Sequence, residues 1–229
     1  MKTIGLIGGM SWESSAIYYR IINKTVSKRL GGTHSAKSIM ISVDFEEVEK
    51  MQINDEWSHL RGLMKDIAVT LEMAGADVIV ICTNTMHKVA DGIENAVNIP
   101  LLHIADPTAE SIKSMGLKKV GLLGTKYTME HDFYKGRLEE KHGLEVLIPE
   151  EADRDIVHNI IFQELVQGHI KPSSREKFQR IINLLELQGA EGIILGCTEI
   201  GLLIGEEHTD IPVFDTTLLH ALAAVEFVL

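Results

Sequence analysis

Short apolar runs alternate along the chain with longer stretches in which apolar residues recur every three or four positions. This alternation of strand-like and helix-like patterns is typical of α/β proteins with parallel sheets. It predicts eight strands, at residues 3–7, 38–43, 77–81, 101–104, 119–123, 145–148, 192–195 and 212–214. One helix is predicted to begin after Ser11 and to stop at Gly31 and Gly32, and others are predicted at residues 57–73, 84–96, 129–142, 155–167 and 174–187.

The second half of the chain repeats the pattern of the first. IGLIGG at residues 4–9 recurs as VGLLGT at 120–125, and AGADVIVICTNT at 74–85 recurs as QGAEGIILGCTE at 188–199. NIP at 98–100 recurs as DIP at 210–212, so the three offsets are 116, 114 and 112 residues. This repeat predicts two similar α/β halves. The first comprises residues 1–106, with a C-terminal helix at 216–229 packing back onto it, and the second comprises residues 107–215.

The repeat bears on the two cysteines of the chain. Aligning the two halves at AGAD and QGAE places Thr83 opposite Cys197, and Cys82 opposite Gly196. Neighbouring residues of a strand point to opposite faces of the sheet. If Cys197 faces a functional site, Thr83 should therefore do the same, whereas Cys82 should be a packing residue. The repeated polar triplet after each strand favours chemistry at Cys197 over simple packing.

Composition and charge exclude several classes of function. The formal net charge is −11 and no run is dense in Lys or Arg, so nucleic acid and anionic membranes are not expected partners. Two cysteines do not make a disulfide framework or a cysteine-based zinc site, and the ten histidines show no metal-ligand spacing. The N-terminus is a poor signal peptide, and no apolar run is long enough to span a bilayer. A cytoplasmic protein is expected.

The corners after the third and seventh predicted strands suit chemistry. In open α/β sheets, binding sites form beyond the carboxyl ends of strands, where the first backbone N–H groups of the next helix are unpaired. A thiol at such a corner is expected to have a lowered pKa. The same amides would bind a carboxylate. Cys197 could therefore act as a thiolate beside a bound acid.

Four segments carry a resemblance to a known family: GLIGGMSWES at 5–14, CTNTMHK at 82–88, GLLGT at 121–125 and GCTEIGLL at 196–203. In this order and spacing they resemble the cofactor-independent aspartate/glutamate racemase superfamily over essentially the whole chain. The resemblance is closest to the bacterial branch of L-aspartate/glutamate-specific and broad-specificity amino-acid racemases. It implies two pseudo-symmetric α/β domains with mainly parallel sheets, an active site in the cleft between them, and a homodimer.

The resemblance also implies a mechanism without pyridoxal phosphate or metal. Two family cysteines stand on opposite faces of the α-carbon; one thiolate removes the α-proton and the other thiol returns a proton. The second cysteine corresponds to Cys197, but the first position is Thr83 here. A threonine hydroxyl is too weakly acidic to be an alkoxide at neutral pH. Cys197 is therefore expected to attack the L-substrate and Thr83 to complete the reaction, alone or with water, which favours L to D kinetically.

Substrate contacts are expected by analogy with the family at six residues: Met10, Gln52, Asn84, Thr85, Thr125 and Thr198. Serines and threonines at such turns are also common helix caps, and Ser11 is more easily explained that way. Two interpretations of Gln52 are open. It would serve as a neutral hydrogen-bond donor to the substrate side chain, or, as is more common, it would be a solvated loop residue with no role. No Arg or aligned Lys matches the distal-carboxylate contacts of aspartate racemases. His87 lies one turn into the predicted helix, where it would either support the site or simply face its surroundings, and the second is expected. His103 is expected to be a packing residue.

Three classes of function remain open. The first is racemisation of L-aspartate and L-glutamate, or of a broader range of amino acids. The second keeps Cys197 but changes the reaction, as in related decarboxylases and cis-trans isomerases of dicarboxylates. The third is a two-lobed amino-acid-binding module without catalysis, in which Thr83 marks the loss of one catalytic thiol.

Overall fold

The computed structural model describes all 229 residues and has the α/β architecture that the sequence predicts. The chain divides into two compact units. The first unit comprises Met1–His103 and His220–Leu229, and the second comprises Ile104–Leu219. None of the helices combines the length and apolarity needed to cross a membrane.

The first unit opens with a strand followed by a long helix. Its elements are β1 (Thr3–Gly8), α1 (Trp12–Leu30), β2 (Lys37–Ser42), α2 (Phe45–Ile53), α3 (Trp57–Met73), β3 (Val78–Ile81), a 3-10 helix (Thr85–Val89), α4 (Ala90–Glu94) and β4 (Leu101–Leu102). Ser11 caps α1 by accepting a hydrogen bond from the Ser14 amide at 3.3 Å. A side-chain oxygen of this kind satisfies one of the unpaired amides at a helix start.

The second unit follows the same order of strands. Its elements are α5 (Ala105–Ser114), β5 (Lys119–Gly124), α6 (Lys126–Glu130), a π-helix (Arg137–Lys141), β6 (Glu145–Leu147), α7 (Glu151–Gln163), a 3-10 helix (Leu165–Gln167), α8 (Pro172–Leu187), β7 (Ile193–Gly196), two 3-10 helices (Thr198–Leu202 and Glu206–His208) and β8 (Val213–Asp215). The last helix, α9, spans Thr216–Val228.

Both sheets are parallel and have equivalent topology. The strand order is β2-β1-β3-β4 in the first unit and β6-β5-β7-β8 in the second. All eight predicted strands are therefore confirmed, with ends that differ by one or two residues. Strands buried on both faces read as continuous apolar runs, which is why VIVI and IILG are recognisable in the sequence.

Each face of the first unit's sheet has its own core. Ile79 and Ile81 pack with residues of α3 on one face. Val78, Val80 and Cys82 pack on the other face with α1 and with four residues of α9, which are Ala221, Ala224, Val225 and Val228. This alternation follows from the two-residue period of a strand. In the second unit, the sheet packs with helices α5, α7 and α8 in one continuous cluster.

Three predicted helices are wrong in extent. The helix predicted at 84–96 is a 3-10 helix followed by α4, because the backbone at Val89 (φ −115°, ψ 21°) departs from helical geometry. The helix predicted at 129–142 is interrupted at His131, which is extended (φ −97°, ψ 147°). The helix predicted at 155–167 begins earlier, at Glu151, where carboxylates in the first turn favour a helix start.

Two helices, α2 and α5, were not predicted. Asp44 caps α2 by accepting from the Glu46 amide at 3.1 Å. The charged residues of this segment face solvent, whereas Val48 and Gln52 are buried. A short segment with so few apolar positions gives little periodic signal, so its helical state depends on the cap and on packing.

An ion cluster ties α5 to the π-helix of the second unit. Asp106 accepts hydrogen bonds from Arg137 at 2.7 and 2.8 Å, from His142 at 2.8 Å and from Lys141 at 2.9 Å. Burial raises the pKa of Asp106, but the hydrogen bonds from these three side chains outweigh it and hold that pKa well below its usual range. The cluster is therefore a structural element that depends on an ionised carboxylate.

Candidate active site

The candidate residues of the first unit lie at the carboxyl edge of its sheet. Met10 follows β1, and the polar triplet at residues 83–85 follows the neighbouring strand β3. Parallel neighbours end at the same edge, so the fold brings Met10 and the triplet together. In the second unit Thr125 follows β5, and Cys197 with Thr198 follows its neighbour β7.

Strand pairing fixes the correspondence between the two corners. Gly5 pairs with Ile79 in the first unit, and the equivalent Gly121 pairs with Ile193 in the second. Continuing along β3 and β7 from these pairs places Cys82 opposite Gly196, and Thr83 opposite Cys197. The register therefore gives the same alignment as the sequence repeat, and does so from hydrogen-bonded ladders.

Cys82 and Thr83 have different environments. The Cys82 side chain is 0% exposed and belongs to a hydrophobic core, and its amide donates to the Ile7 carbonyl at 2.9 Å. Burial raises the pKa of the Cys82 thiol far above its usual range. Thr83 is partly exposed. Cys82 is therefore an inert packing residue, as the repeat predicts.

Cys197 is a partly exposed thiol at the end of β7. Its backbone is extended (φ −150°, ψ 132°), and the 3-10 helix Thr198–Leu202 begins immediately after it. The Sγ–H group donates to Oε2 of Glu199 at 3.0 Å. Glu199 is itself buried, so a carboxylate is held against the thiol with little access to water.

The predicted lowering of the Cys197 pKa is wrong. Burial raises the pKa of this thiol most, followed by the charge of Glu199 and its hydrogen bond. The amides of Glu199 and Ile200 do lower the pKa, as a helix start should, but they do not offset the other effects. A nearby negative charge and loss of water both disfavour a second anion. Cys197 rests as a thiol, and its thiolate is a strong base once formed.

The remaining candidates are mostly buried. Asn84, Thr85, Thr125 and Thr198 are between 3% and 8% exposed. Thr125 caps α6 by accepting from the Thr128 amide at 3.4 Å, so the capping role that the sequence allows is present. A cap and a substrate contact are compatible, because a hydroxyl oxygen has two lone pairs and one proton to donate.

Gln52 and Met10 are also buried, at 5% and 4% exposed. The view of Gln52 as a solvated loop residue is wrong, because it lies in the last turn of α2 and its Nε2 donates to the Met86 sulfur at 3.3 Å. A thioether sulfur is a weak hydrogen-bond acceptor. Exchanging this bond for one to a carboxylate would therefore cost the Gln52 amide little.

The expectation that His87 faces its surroundings is wrong as well. His87 is 2% exposed, and its Nδ1 lies 2.9 Å from the carbonyl oxygen of Thr83. His103 is buried at 4% exposed, as expected of a packing residue, and contacts the His87 ring. The only sequence signal for the hydrogen bond between His87 and the Thr83 carbonyl is the four-residue spacing of the two residues.

No group of three or more His, Cys, Asp or Glu side chains is arranged to hold a metal ion.

Comparisons with known proteins agree on one family. The sequence model of Asp/Glu/hydantoin racemases matches residues 7–224. The broad-specificity amino-acid racemase RacX of Bacillus subtilis is 28% identical over 160 residues, which cover 70% of this chain and 68% of RacX.

Crystal structures of related proteins match the whole chain. A candidate Asp/Glu racemase from Yersinia pestis is 56% identical, with a TM-score of 0.94 over 100% of this chain and 99% of that one. An aspartate racemase homologue from Pyrococcus horikoshii is 37% identical, with a TM-score of 0.86 over the same shares of the two chains.

Proposed function

Because the chain belongs to the Asp/Glu/hydantoin racemase family and is an isomerase of the racemase class, we propose that it racemises L-aspartate and L-glutamate without a cofactor. The observation that carries this proposal is the partly exposed Cys197 thiol, held 3.0 Å from the buried Glu199 carboxylate at a strand end. A racemase needs a base that is strong enough to remove an α-proton and close to a group that accepts the thiol proton.

The reaction begins at Cys197. Its thiol proton passes to the Glu199 carboxylate, and the thiolate then takes the α-proton of the L-substrate, leaving the bonding electrons on the α-carbon. Amides of Glu199 and Ile200, which contact the thiol, supply partial positive charge at this corner. The raised pKa of Cys197 makes the thiolate scarce but more basic, and a more basic thiolate removes a carbon-bound proton faster.

The Thr83 side completes the reaction by returning a proton to the α-carbon, on the face opposite the one that Cys197 attacks. A threonine hydroxyl can donate a proton to a carbanion, but it is a poor base for starting from the D-enantiomer. Conversion of L to D is therefore kinetically favoured. The equilibrium between the free enantiomers is unchanged, so the asymmetry appears in initial rates.

Six residues are proposed to hold the substrate: Met10, Gln52, Asn84, Thr85, Thr125 and Thr198. Gln52 is the proposed contact for the distal carboxylate, because its buried side-chain amide donates to the Met86 sulfur at 3.3 Å, and a carboxylate is a stronger acceptor than a thioether. A neutral donor discriminates less strongly against uncharged side chains than an Arg would. This supports broad specificity as the second candidate function, and RacX, the relative from B. subtilis, is named for that property.

Exchange of the α-proton in heavy water, followed by NMR, tests the proposal. L- and D-aspartate and glutamate are compared with methionine and homoserine, using wild type, Cys197→Ala and the matched control Cys82→Ala. We expect exchange from the L-forms that is lost in Cys197→Ala and kept in Cys82→Ala. Exchange that survives without Cys197 would refute the mechanism.

Further measurements on the same proteins separate the other two classes of function from a racemase. Loss of carbon dioxide or a change in a dicarboxylate double bond, without α-exchange, would identify a decarboxylase or a cis-trans isomerase. Tight amino-acid binding by calorimetry with no exchange would identify a binding module.

A homodimer forms part of the proposal, because the family resemblance implies one. Light scattering after size exclusion should give twice the mass of one chain. A single-chain mass at micromolar protein concentration would contradict it.

A further inference from the structure

A cluster of three buried histidines lies in the first unit next to Thr83. The cluster consists of His87, His103 and His220, which are 2%, 4% and 0% exposed. The His87 ring centroid is 4.6 Å from that of His103 and 5.7 Å from that of His220, both in edge-on contact. Three imidazoles therefore pack together without access to water, and the His87 ring lies in the middle.

Hydrogen bonds fix the protons of two of these rings. Nδ1 of His87 lies 2.9 Å from the Thr83 carbonyl oxygen, which can only accept, so Nδ1 carries a proton. Nε2 of His220 likewise donates to the Leu102 carbonyl at 2.8 Å, and its Nδ1 pairs with the Tyr18 hydroxyl at 2.8 Å. Both rings are therefore locked in orientation by partners on the backbone and on α1.

The cluster is specific to the half that has threonine in place of cysteine. Continuing the strand register places Gly201 opposite His87, and Asp215 opposite His103. In the second unit, Cys197 is contacted by the side chain of Glu199, whose counterpart in the first unit is Thr85. The two halves thus support their central residues differently. In the second unit the Glu199 side chain contacts the Cys197 side chain, whereas in the first unit the His87 side chain contacts the Thr83 backbone.

We propose that His87 is a positioning residue for Thr83. Its Nδ1–H group anchors the Thr83 carbonyl where the chain leaves β3, and the rings of His103 and His220 prevent the His87 side chain from rotating. The inference rests on the proposed racemase function, in which Thr83 serves the face that receives a proton. A displacement of about 1 Å at such a position lowers a rate roughly a hundredfold. Cys197 chemistry does not depend on this anchor.

The two proton-transfer steps can be measured separately with L-aspartate in heavy water. A deuteron returned from the Cys197 side gives α-deuterated L-aspartate, and one returned from the Thr83 side gives D-aspartate. The initial ratio of D-aspartate to deuterated L-aspartate therefore reports how the carbanion partitions between the Thr83 side and the Cys197 side. A residue that only stabilises the fold would change both products equally.

We expect His87→Leu to lower this ratio at least tenfold, because leucine removes the donor to Thr83. His87→Asn should restore most of the ratio, since its amide nitrogen can replace Nδ1. The matched control is His59→Leu, which makes the same change at a histidine with a side chain that is 77% exposed. The control should behave as wild type.

The outcomes distinguish this inference from the function on which it rests. If wild type exchanges no α-proton, the proposed function is wrong. If wild type racemises but the ratio in His87→Leu is unchanged, or both products fall together, the positioning role is refuted. If His87→Leu does not fold, nitrogen-15 NMR of wild type decides: a proton on Nδ1 of His87 supports the role, and a proton on Nε2 alone refutes it.

Discussion

Replacing Cys82 separates packing from chemistry at the residue beside Thr83. The Cys82 side chain is completely buried among aliphatic and aromatic neighbours. Alanine at this position removes one group of about methylene size, which costs about 0.8 kcal/mol in transfer free energy. A cavity of roughly 20 Å³ adds about 0.5 kcal/mol at ~24 cal/mol per Å³. Cys82→Ala should therefore lower the free energy of unfolding by about 1.3 kcal/mol.

Serine gives the sharper result, because it matches cysteine in shape. In an apolar core its hydroxyl has lost water, which costs about 1–3 kcal/mol. Cys82→Ser should therefore be less stable than Cys82→Ala, although serine is the closer replacement. Urea unfolding at pH 7 measures both differences. Both variants should keep wild-type α-proton exchange at 25 °C, whereas Cys197→Ala should keep its stability and lose exchange.

Two outcomes would refute this reasoning. Serine as stable as alanine at position 82 would mean that the side chain reaches water or a polar partner. Loss of exchange in both Cys82 variants, at a temperature where they are folded, would mean that the thiol takes part in the chemistry. Alkylation gives an independent check, because native protein should react only at Cys197.

Three further predictions follow from the site and from the ion cluster. Glu199→Gln removes a negative charge that raises the Cys197 pKa, so alkylation of Cys197 at pH 7 should become faster while L-exchange slows; slower alkylation would contradict the assigned cause. Thr83→Cys supplies a second thiol and should raise exchange from D-aspartate by tenfold or more, measured by NMR, and no gain would argue against Thr83 as the second proton-transfer position. The depressed pKa of Asp106 means that its stabilisation is complete above the unfolded value of about 3.9 and is lost as pH falls towards the folded value. Asp106→Asn should therefore lower the free energy of unfolding in urea by about 1.5–3 kcal/mol at pH 7 and by less at pH 3, and an equal loss at both pH values would contradict the linkage.

The sequence predicts the strands well because their signal is local. VIVI and IILG are buried on both faces, and the repeat supplies a second copy of each. Helix α2 was missed because acidic residues surround its few buried positions, so its stability depends on the Asp44 cap and on tertiary contacts. Local patterns do not contain such contacts.

The candidate site likewise has features that the sequence predicts and features that depend on tertiary contacts. The equivalence of Thr83 and Cys197 follows from spacing alone, and the strand registers reproduce it. The raised pKa of Cys197 depends on how the Glu199 side chain turns back onto the thiol. The contact of His87 with two other histidines joins residues that are distant in the sequence. Both effects require the folded arrangement of side chains.

The C-terminal residues have a consequence for the order of folding during synthesis. Residues 220–229 belong to the first unit, where four side chains of α9 cover one face of its sheet. The second unit is continuous from Ile104 to Leu219. On the ribosome, the middle of the chain can therefore complete its core while the beginning still exposes one apolar face. The part that is made first finishes folding last, and chaperones have that interval in which to bind the open face.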